Sequence, residues 1–147
     1  MGRKTARDGG QTPKAIAVQI EATEAELLKN GSTDALAAAK RLKAAREAFV
    51  DVVNFVAGNT KASPNAVFAG SVPYLMLAGN LMAGWQLARA LLVAQGELKA
   101  GVDAGFMRAK IITARFYADH LLSKAPGLRD SIVDGADSVT AMALDAF

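Results

Sequence analysis

The sequence predicts an all-α fold: an antiparallel bundle of four to five helices, in which a long central third helix is kinked near Pro73. Three observations support this prediction. Alanine, the strongest helix former, contributes heavily to the 52% apolar content. Apolar residues recur every three to four positions in each long segment. The connecting segments are short, so consecutive helices should pack as antiparallel neighbours.

The first helix is predicted to begin with Thr12 as its N-cap and Pro13 in the first helical position. It should end at Asn30 and Gly31, because glycine readily adopts the left-handed conformation of a C-cap. Residues 3–10 are predicted to form an extended arm and a turn. The apolar stripe of this helix consists of Ile16, Ile20, Thr23 and Leu27.

The second helix is capped by residues 32–34 and ends near Gly58. The basic residues Lys40, Arg41 and Lys43 lie mainly outside its apolar stripe and are interpreted as a solvated face. The stripe occupies one face of the helix and consists of Leu42, Ala45, Phe49, Val52, Val53 and Val56.

The third helix begins at Ser63 and Pro64 and extends to about residue 95. A kink or break is expected within residues 69–73, because proline removes a helical hydrogen bond and clashes with the preceding turn. From Tyr74 onward the helix is apolar nearly all round, which predicts a position at the centre of the bundle. Small residues that allow close helix contact are Gly79, Ala83, Gly84 and Ala88.

A polar connection at residues 97–105 leads to a fourth helix over residues 104–123, which should end at Ala125–Gly127. Residues 128–147 are predicted to dock as a fifth helix, with Gly135 as a weak point. The predicted core face of the fourth helix consists of Met107, Ile111, Ala114, Ala118, Leu121, Leu122 and Ala125.

The charge distribution argues against a nucleic-acid-binding protein. The net charge of +3 comes from the N-terminal segment, which contains the basic residues Arg3, Lys4, Arg7 and Lys14 and the acidic residue Asp8. The basic and acidic residues of the rest of the chain are equal in number. Binding to nucleic acid needs a basic face that neutralises several phosphates. The absence of cysteine favours a reducing compartment, and a cytoplasmic location is expected.

The stretch Val72–Ala94 is long and apolar enough to raise the alternative of a membrane-associated helix. It also carries Pro73, Asn80, Gln86 and Arg89, and polar groups inside a membrane span are costly. The favoured interpretation is therefore a buried helix of a bundle, without a membrane partner.

Few residues could support chemistry. His120 is the one histidine, and its neighbour Asp119 points about 100° away on a helix, so neither a metal site nor a catalytic triad is predicted. The acidic residues Asp130, Asp134 and Asp137 are interpreted as a solvated face. The sequence therefore predicts no catalytic, cofactor-binding or metal-binding residue.

Polar and aromatic residues in the third helix are candidates for an interface or for buried polar contacts. Arg89 and Asn80 lie in an apolar setting, where a buried arginine must be paired. We expect Arg89 to pair with a carboxylate of another helix; the alternative is that its face meets a partner. Trp85 and Tyr74 are the large side chains nearby, either in the core or at an interface hot spot.

Six sequence runs occur in an order that is typical of a known family: GRKTARDGG (residues 2–10), VPYLMLAG (72–79), GWQLARA (84–90), RAKIITARFYADHLL (108–122), GADSV (135–139) and ALDAF (143–147). Together they resemble the C-terminal domain of the larger bacterial acyl-CoA dehydrogenases, a subgroup that includes the 3-methylmercaptopropionyl-CoA dehydrogenases. The resemblance covers almost the whole chain, although Pro73 departs from the pattern.

The resemblance implies that residues 1–10 are a basic arm leaving a catalytic body and residues 11–147 a helical C-terminal domain. In that family a Tyr-Glu-Gly-Thr motif before this arm supplies the catalytic base and contacts the flavin, and the chain lacks the motif. The implied parent oxidises acyl-CoA to 2,3-enoyl-CoA with FAD and forms a homo-oligomer. The implied role of this chain is packing against the catalytic body, and the alternative is a free-standing protein-interaction module that binds through the Trp85–Arg89 face.

Overall fold

The structure is a computed structural model that describes residues 1–146, except for the side chains at positions 2, 3, 140 and 144. Every regular element in this range is helical, as predicted. Phe147, the last residue of the predicted fifth helix, lies outside the described residues. The helices are α1 (Gly2–Thr5), α2 (Gln11–Asn30), α3 (Thr33–Asn59), α4 (Pro64–Ala69), α5 (Ser71–Lys99), α6 (Ala104–His120) and α7 (Ala125–Val133), with 3₁₀ turns at Leu122–Lys124, Ala136–Thr140 and Leu144–Ala146.

Helices α2, α3, α5 and α6 form the predicted antiparallel bundle. Glu24 in α2 contacts Arg46 in α3, and Gln95 near the end of α5 contacts Ser32 at the start of α3, so α3 runs opposite to both neighbours. The predicted boundary between the first two helices is confirmed. Gly31 ends α2 with a φ of 73°, and the Ser32 hydroxyl caps α3 by accepting a hydrogen bond from the Ala35 N–H.

The most deeply buried helix is α3, which packs against α2, α5, α6 and α7. The expected burial of the third predicted helix on every side is not observed, since α5 buries one face and exposes the other. Its apolar composition therefore exceeds what the bundle itself covers. The buried residues of α3 are Ala35, Ala38, Ala39, Leu42, Ala45, Ala48, Phe49, Val52, Val53 and Val56.

The predicted break in the third helix is confirmed and falls at Gly70, between α4 and α5. A Cβ on Gly70 would lie 2.8 Å from Cγ2 of Ile132 in α7, so a larger residue would push these elements apart. Pro73 lies in the first turn of α5, where the backbone N–H groups have no partner within the helix. The N–H that proline lacks is therefore not needed there. The break thus accommodates α7 as well as the proline.

The N-terminal arm differs from its predicted extended form, because residues 2–5 form the short helix α1. Thr12 is not the N-cap of α2, which begins at Gln11. Gly10 precedes it with a φ of 82°, and a Cβ there would lie 2.7 Å from Val53. Asp8 acts as the cap: its carboxylate accepts hydrogen bonds from the N–H groups of Gly10, Gln11 and Thr12. Helix α2 therefore begins at Gln11, where the Asp8 side chain caps it, and not after the predicted N-cap Thr12.

Replacing Asp8 by asparagine is expected to lower the melting temperature at pH 7. Hydrogen bonds, first that from the Thr12 hydroxyl, hold the pKa of Asp8 below its usual value of 3.8. The stabilisation is therefore present above the unfolded pKa and is lost as the pH falls through the lower folded pKa. Thermal unfolding from pH 7 down to pH 2 checks this, and equal acid-side losses for both proteins would contradict it.

The C-terminal boundaries differ from the prediction. Helix α6 ends at His120, before the predicted residue 123. The run Ala125–Gly127, which was predicted to end the fourth helix, forms the first turn of α7, because Pro126 is compatible with that position. The predicted fifth helix stops at Val133 and does not extend to the end of the described residues. The predicted weak point at Gly135 lies just beyond the end of α7, and a Cβ there would lie 2.8 Å from the Ser131 carbonyl oxygen.

Candidate docking surface

Trp85 is an internal contact between two helices. Its indole Nε1 donates a 2.8 Å hydrogen bond to Oγ1 of Thr23 in α2, and Thr23 is buried. The polar group of this half-buried side chain is therefore used inside the domain, as is usual for a tryptophan in a core. Trp85 ties α5 to α2 and is not the centre of an exposed face.

Replacing Trp85 by phenylalanine is expected to lower the free energy of unfolding by about 1–2 kcal/mol, because the buried Thr23 hydroxyl loses its donor. Urea unfolding followed by circular dichroism measures the change. In a Thr23→Val background, where that hydroxyl is already removed, the same replacement should cost less. An identical cost in both backgrounds would show that the hydrogen bond contributes nothing.

Arg89 does not form the expected ion pair with another helix. Its guanidinium donates a 3.0 Å hydrogen bond to Gln86 and lies 5.8 Å from the Trp85 ring centroid, both within α5. The residue is exposed, which removes the need for a buried counter-charge. Asn80 is half-buried, and its backbone carbonyl accepts a 3.3 Å hydrogen bond from the Tyr117 hydroxyl of α6.

Tyr74 secures the N-terminal arm. Its hydroxyl lies 2.9 Å from Oγ1 of the buried Thr5, and its ring stacks on Phe49 of α3 at a centroid distance of 6.0 Å. Burial raises the pKa of the Tyr74 hydroxyl, an effect that the hydrogen bond to Thr5 partly offsets. Of the four polar and aromatic candidates, the structure brings together only Arg89 and Trp85, whereas Asn80 and Tyr74 make separate contacts.

The remaining candidate groups make structural contacts. His120 is exposed and its ring lies 4.5 Å from that of Phe116. Arg129 of α7 pairs at 3.4 Å with Asp51 and so joins α7 to α3, and it also pairs with Asp130 and Asp134, whose side chains are exposed. Among the described residues, no three His, Cys, Asp or Glu side chains converge as metal ligands.

Helix α5 carries an uncharged surface along its open side. The residues that form this surface recur along the helix at alternating spacings of four and three positions, and all are exposed except the half-buried Ala90. Val72 and Leu75, which lies beside the row, are 73% and 71% exposed. We call this row the outer seam; it consists of Val72, Met76, Gly79, Ala83, Gln86, Ala90 and Val93. In the part of the chain that the structure describes, no helix is sufficiently long and apolar to span a bilayer.

Helix α6 packs against α5 and also has an exposed apolar side, which was not identified from the sequence. Its exposed residues include Ile112 at 67% and Phe116 at 57%, away from the buried face formed by Ile111, Ala114 and Ala118. The sequence signal was present, because apolar residues fall on both sides of this helix. The α6 outer face consists of Phe106, Ala109, Ile112, Thr113, Phe116 and His120.

Two clefts lie away from this surface. One, of 440 Å³, lies between the arm and α2 and is lined by Lys4, Arg7 and Asp8 among others. The other, of 480 Å³, lies where α3 begins and α5 ends, beside Ser32 and Gln95. Neither brings an acid–base pair together with a nucleophile. The exposed surface of α5 and α6 is therefore the main functional candidate.

The chain matches a protein-family model, described as acetyl-CoA dehydrogenase C-terminal like, over residues 16–143. It is also 43% identical over 144 residues to 3-methylmercaptopropionyl-CoA dehydrogenase of Ruegeria pomeroyi. That match covers 98% of this chain and 24% of the relative, so the chain spans about a quarter of the relative's length. No solved structure is significantly similar to the chain.

Proposed function

The chain belongs to the family of acetyl-CoA dehydrogenase C-terminal-like domains, and we propose that it is the C-terminal helical domain of a larger FAD-dependent acyl-CoA dehydrogenase. The observation that carries this proposal is the match of nearly the whole chain to a quarter of one such enzyme. The parent would oxidise an acyl-CoA to the 2,3-enoyl-CoA, passing a hydride to FAD. We further propose that the parent is a cytoplasmic homo-oligomer.

FAD would be held by the catalytic body, since the residues of this chain do not fit it. A flavin needs an apolar slot for its rings and cations or free N–H groups for its pyrophosphate. The cleft at the arm offers Lys4 and Arg7, but the N-terminal N–H groups of α2 are already capped by the Asp8 carboxylate, which would repel a phosphate. We therefore assign this domain no part in the chemistry.

The proposed role is packing against the catalytic body. It is supported by the uncharged outer seam, because an exposed apolar surface of this length is typical of a site that a partner covers. In this proposal residues 11–147 form the C-terminal domain of the parent enzyme, and residues 1–10 connect that domain to the catalytic body. The hydrogen bonds of Asp8 and Thr5 would hold that connection against the bundle.

Expression of the complete coding region tests the proposal. The full-length protein should show flavin absorbance and oxidise a saturated short-chain acyl-CoA in the presence of an artificial electron acceptor. The 147-residue chain, used as the control, should show neither property. Oxidation by the isolated chain, or a full-length product that holds no flavin, would contradict the proposal.

The second candidate is a free-standing interaction module, and the same outer seam favours it, because that surface would suit any apolar protein partner. The Trp85–Arg89 face would no longer be its binding surface, since Trp85 donates to the buried Thr23. An immunoblot of the source organism separates the candidates: a native product of about this size supports the module, and a much longer one supports the dehydrogenase.

A further inference from the structure

Helix α5 carries two seams with the same spacing. The inner seam is buried against the rest of the bundle and consists of Leu77, Leu81, Gly84, Ala88 and Leu91. The outer seam repeats the alternation of four and three residues over 22 positions, about 33 Å of helix at 1.5 Å per residue. A repeat of 3.5 residues is the pattern by which one helix packs along another. The outer seam is therefore a continuous uncharged strip along which a partner helix can pack.

The residues of the outer seam restrict the shape of that helix. Gly79, Ala83 and Ala90 are small, whereas Val72 and Val93 are larger and lie at the two ends. No neighbouring atom lies within 4 Å of a Cβ placed on Gly79, so the space above it is open. A partner helix with bulky apolar side chains would fill this shallow middle, and a polar contact with Gln86 would fix its register.

The charged residues beside the outer seam indicate which side chains the partner helix carries along its two edges. Arg89, Arg108 and Lys110 border the surface formed by α5 and α6, and in the described residues none of them is in an ion pair with an acidic side chain. Lys110 lies 5.0 Å from the ring centroid of Phe106. Residues 71–96 and 104–118 contain no acidic residue. Carboxylates on the partner would therefore complement this rim.

We propose that the outer seam docks a helix of the catalytic body of the same polypeptide. This helix has an apolar face with acidic residues along its edges, and the inference rests on the proposed function. A second copy of this chain fits less well. Paired antiparallel about Ala83, two copies would place Ala83 against Ala83 and leave the shallow middle of the seam without a bulky apolar side chain, with Gly79 facing Gln86. They would also add cations to the rim and supply no carboxylate along the two facing helices.

Thiol labelling tests the inference. The chain has no cysteine, so Met76→Cys places a single thiol in the outer seam, and Val18→Cys places a matched thiol on the exposed side of α2. Maleimide modification is followed by peptide mass spectrometry in the isolated chain and in the flavin-containing full-length enzyme. Docking should slow labelling at position 76 by about tenfold or more in the full-length enzyme, because an interface core excludes solvent, with position 18 unchanged.

Other outcomes overturn the inference. Equal labelling of position 76 in both proteins, in an enzyme that contains flavin and oxidises acyl-CoA, would overturn it and leave the proposed function intact. Equal slowing at both positions would show that the protection is not specific to the seam. Protection in the isolated chain that is lost on dilution would assign the seam to a second copy. A full-length protein without flavin would remove the proposed function and the inference together.

A second variant tests the shape argument. Ala83→Leu fills the small-residue middle of the seam, and Ala22→Leu is the matched control on the exposed side of α2. In the isolated chain both variants should keep the wild-type melting temperature. In the full-length enzyme Ala83→Leu alone should restore rapid labelling at position 76. Unchanged protection in that variant would contradict docking of a helix along the seam.

Discussion

Replacing Glu24 by leucine should lower the free energy of unfolding by about 3 kcal/mol, because it leaves the Arg46 guanidinium partly buried without its main counter-charge. Glu24 is 5% exposed and accepts two hydrogen bonds from Arg46, at 2.7 and 2.9 Å. Among the described residues, the ion pair that Arg46 would keep is the one with the more distant Glu21, at 3.6 Å. The pair lies at the contact between α2 and α3, so its loss should weaken the packing of these helices.

Urea unfolding of the isolated chain measures this effect. The double variant Glu24→Leu/Arg46→Met should regain most of the lost stability, since two apolar side chains of similar size leave no buried charge. Glu47→Leu is the control: Glu47 pairs with Lys43 at 3.9 Å on the surface, and its loss should change stability by less than about 1 kcal/mol. A double variant less stable than Glu24→Leu alone would refute this explanation.

Replacing Gly84 by valine is expected to cost about 3 kcal/mol, because the inner seam of α5 has no room for a side chain there. A Cβ on Gly84 would lie 2.6 Å from Cδ2 of Leu122, and Leu122 is itself 2% exposed. The leucine therefore cannot move aside without disturbing the 3₁₀ turn at Leu122–Lys124. The expected result is a separation of α5 from the segment that follows α6.

The matched control is Gly79→Val on the outer seam of the same helix, where no neighbouring atom lies within 4 Å of the added Cβ. This change should be neutral or slightly stabilising in the isolated chain, because valine has a higher helix propensity than glycine. Adding Leu122→Ala to Gly84→Val should cost less than the sum of the single changes. Equal destabilisation at positions 79 and 84 would contradict the two-seam description of α5.

Local sequence signals located most helices well. Gly31 and Ser32 mark the boundary between α2 and α3 through backbone conformation and capping, both of which depend on neighbouring residues alone. The start of α2 was less predictable, because the N–H and the hydroxyl of Thr12 both donate to Asp8, so that Thr12 does not act as the cap. The end of α6 was missed because Pro126 is compatible with both the end of one helix and the first turn of the next.

The sequence by itself determined the helical class and the order of the helices, since these follow from composition and spacing. The tertiary structure decided which face of α5 is buried, because both faces are apolar and the packing of α2, α3, α6 and α7 selects one of them. It also placed Trp85 against Thr23 and Glu24 against Arg46. Such contacts join residues of different helices, and spacing within one helix carries no information about what lies opposite.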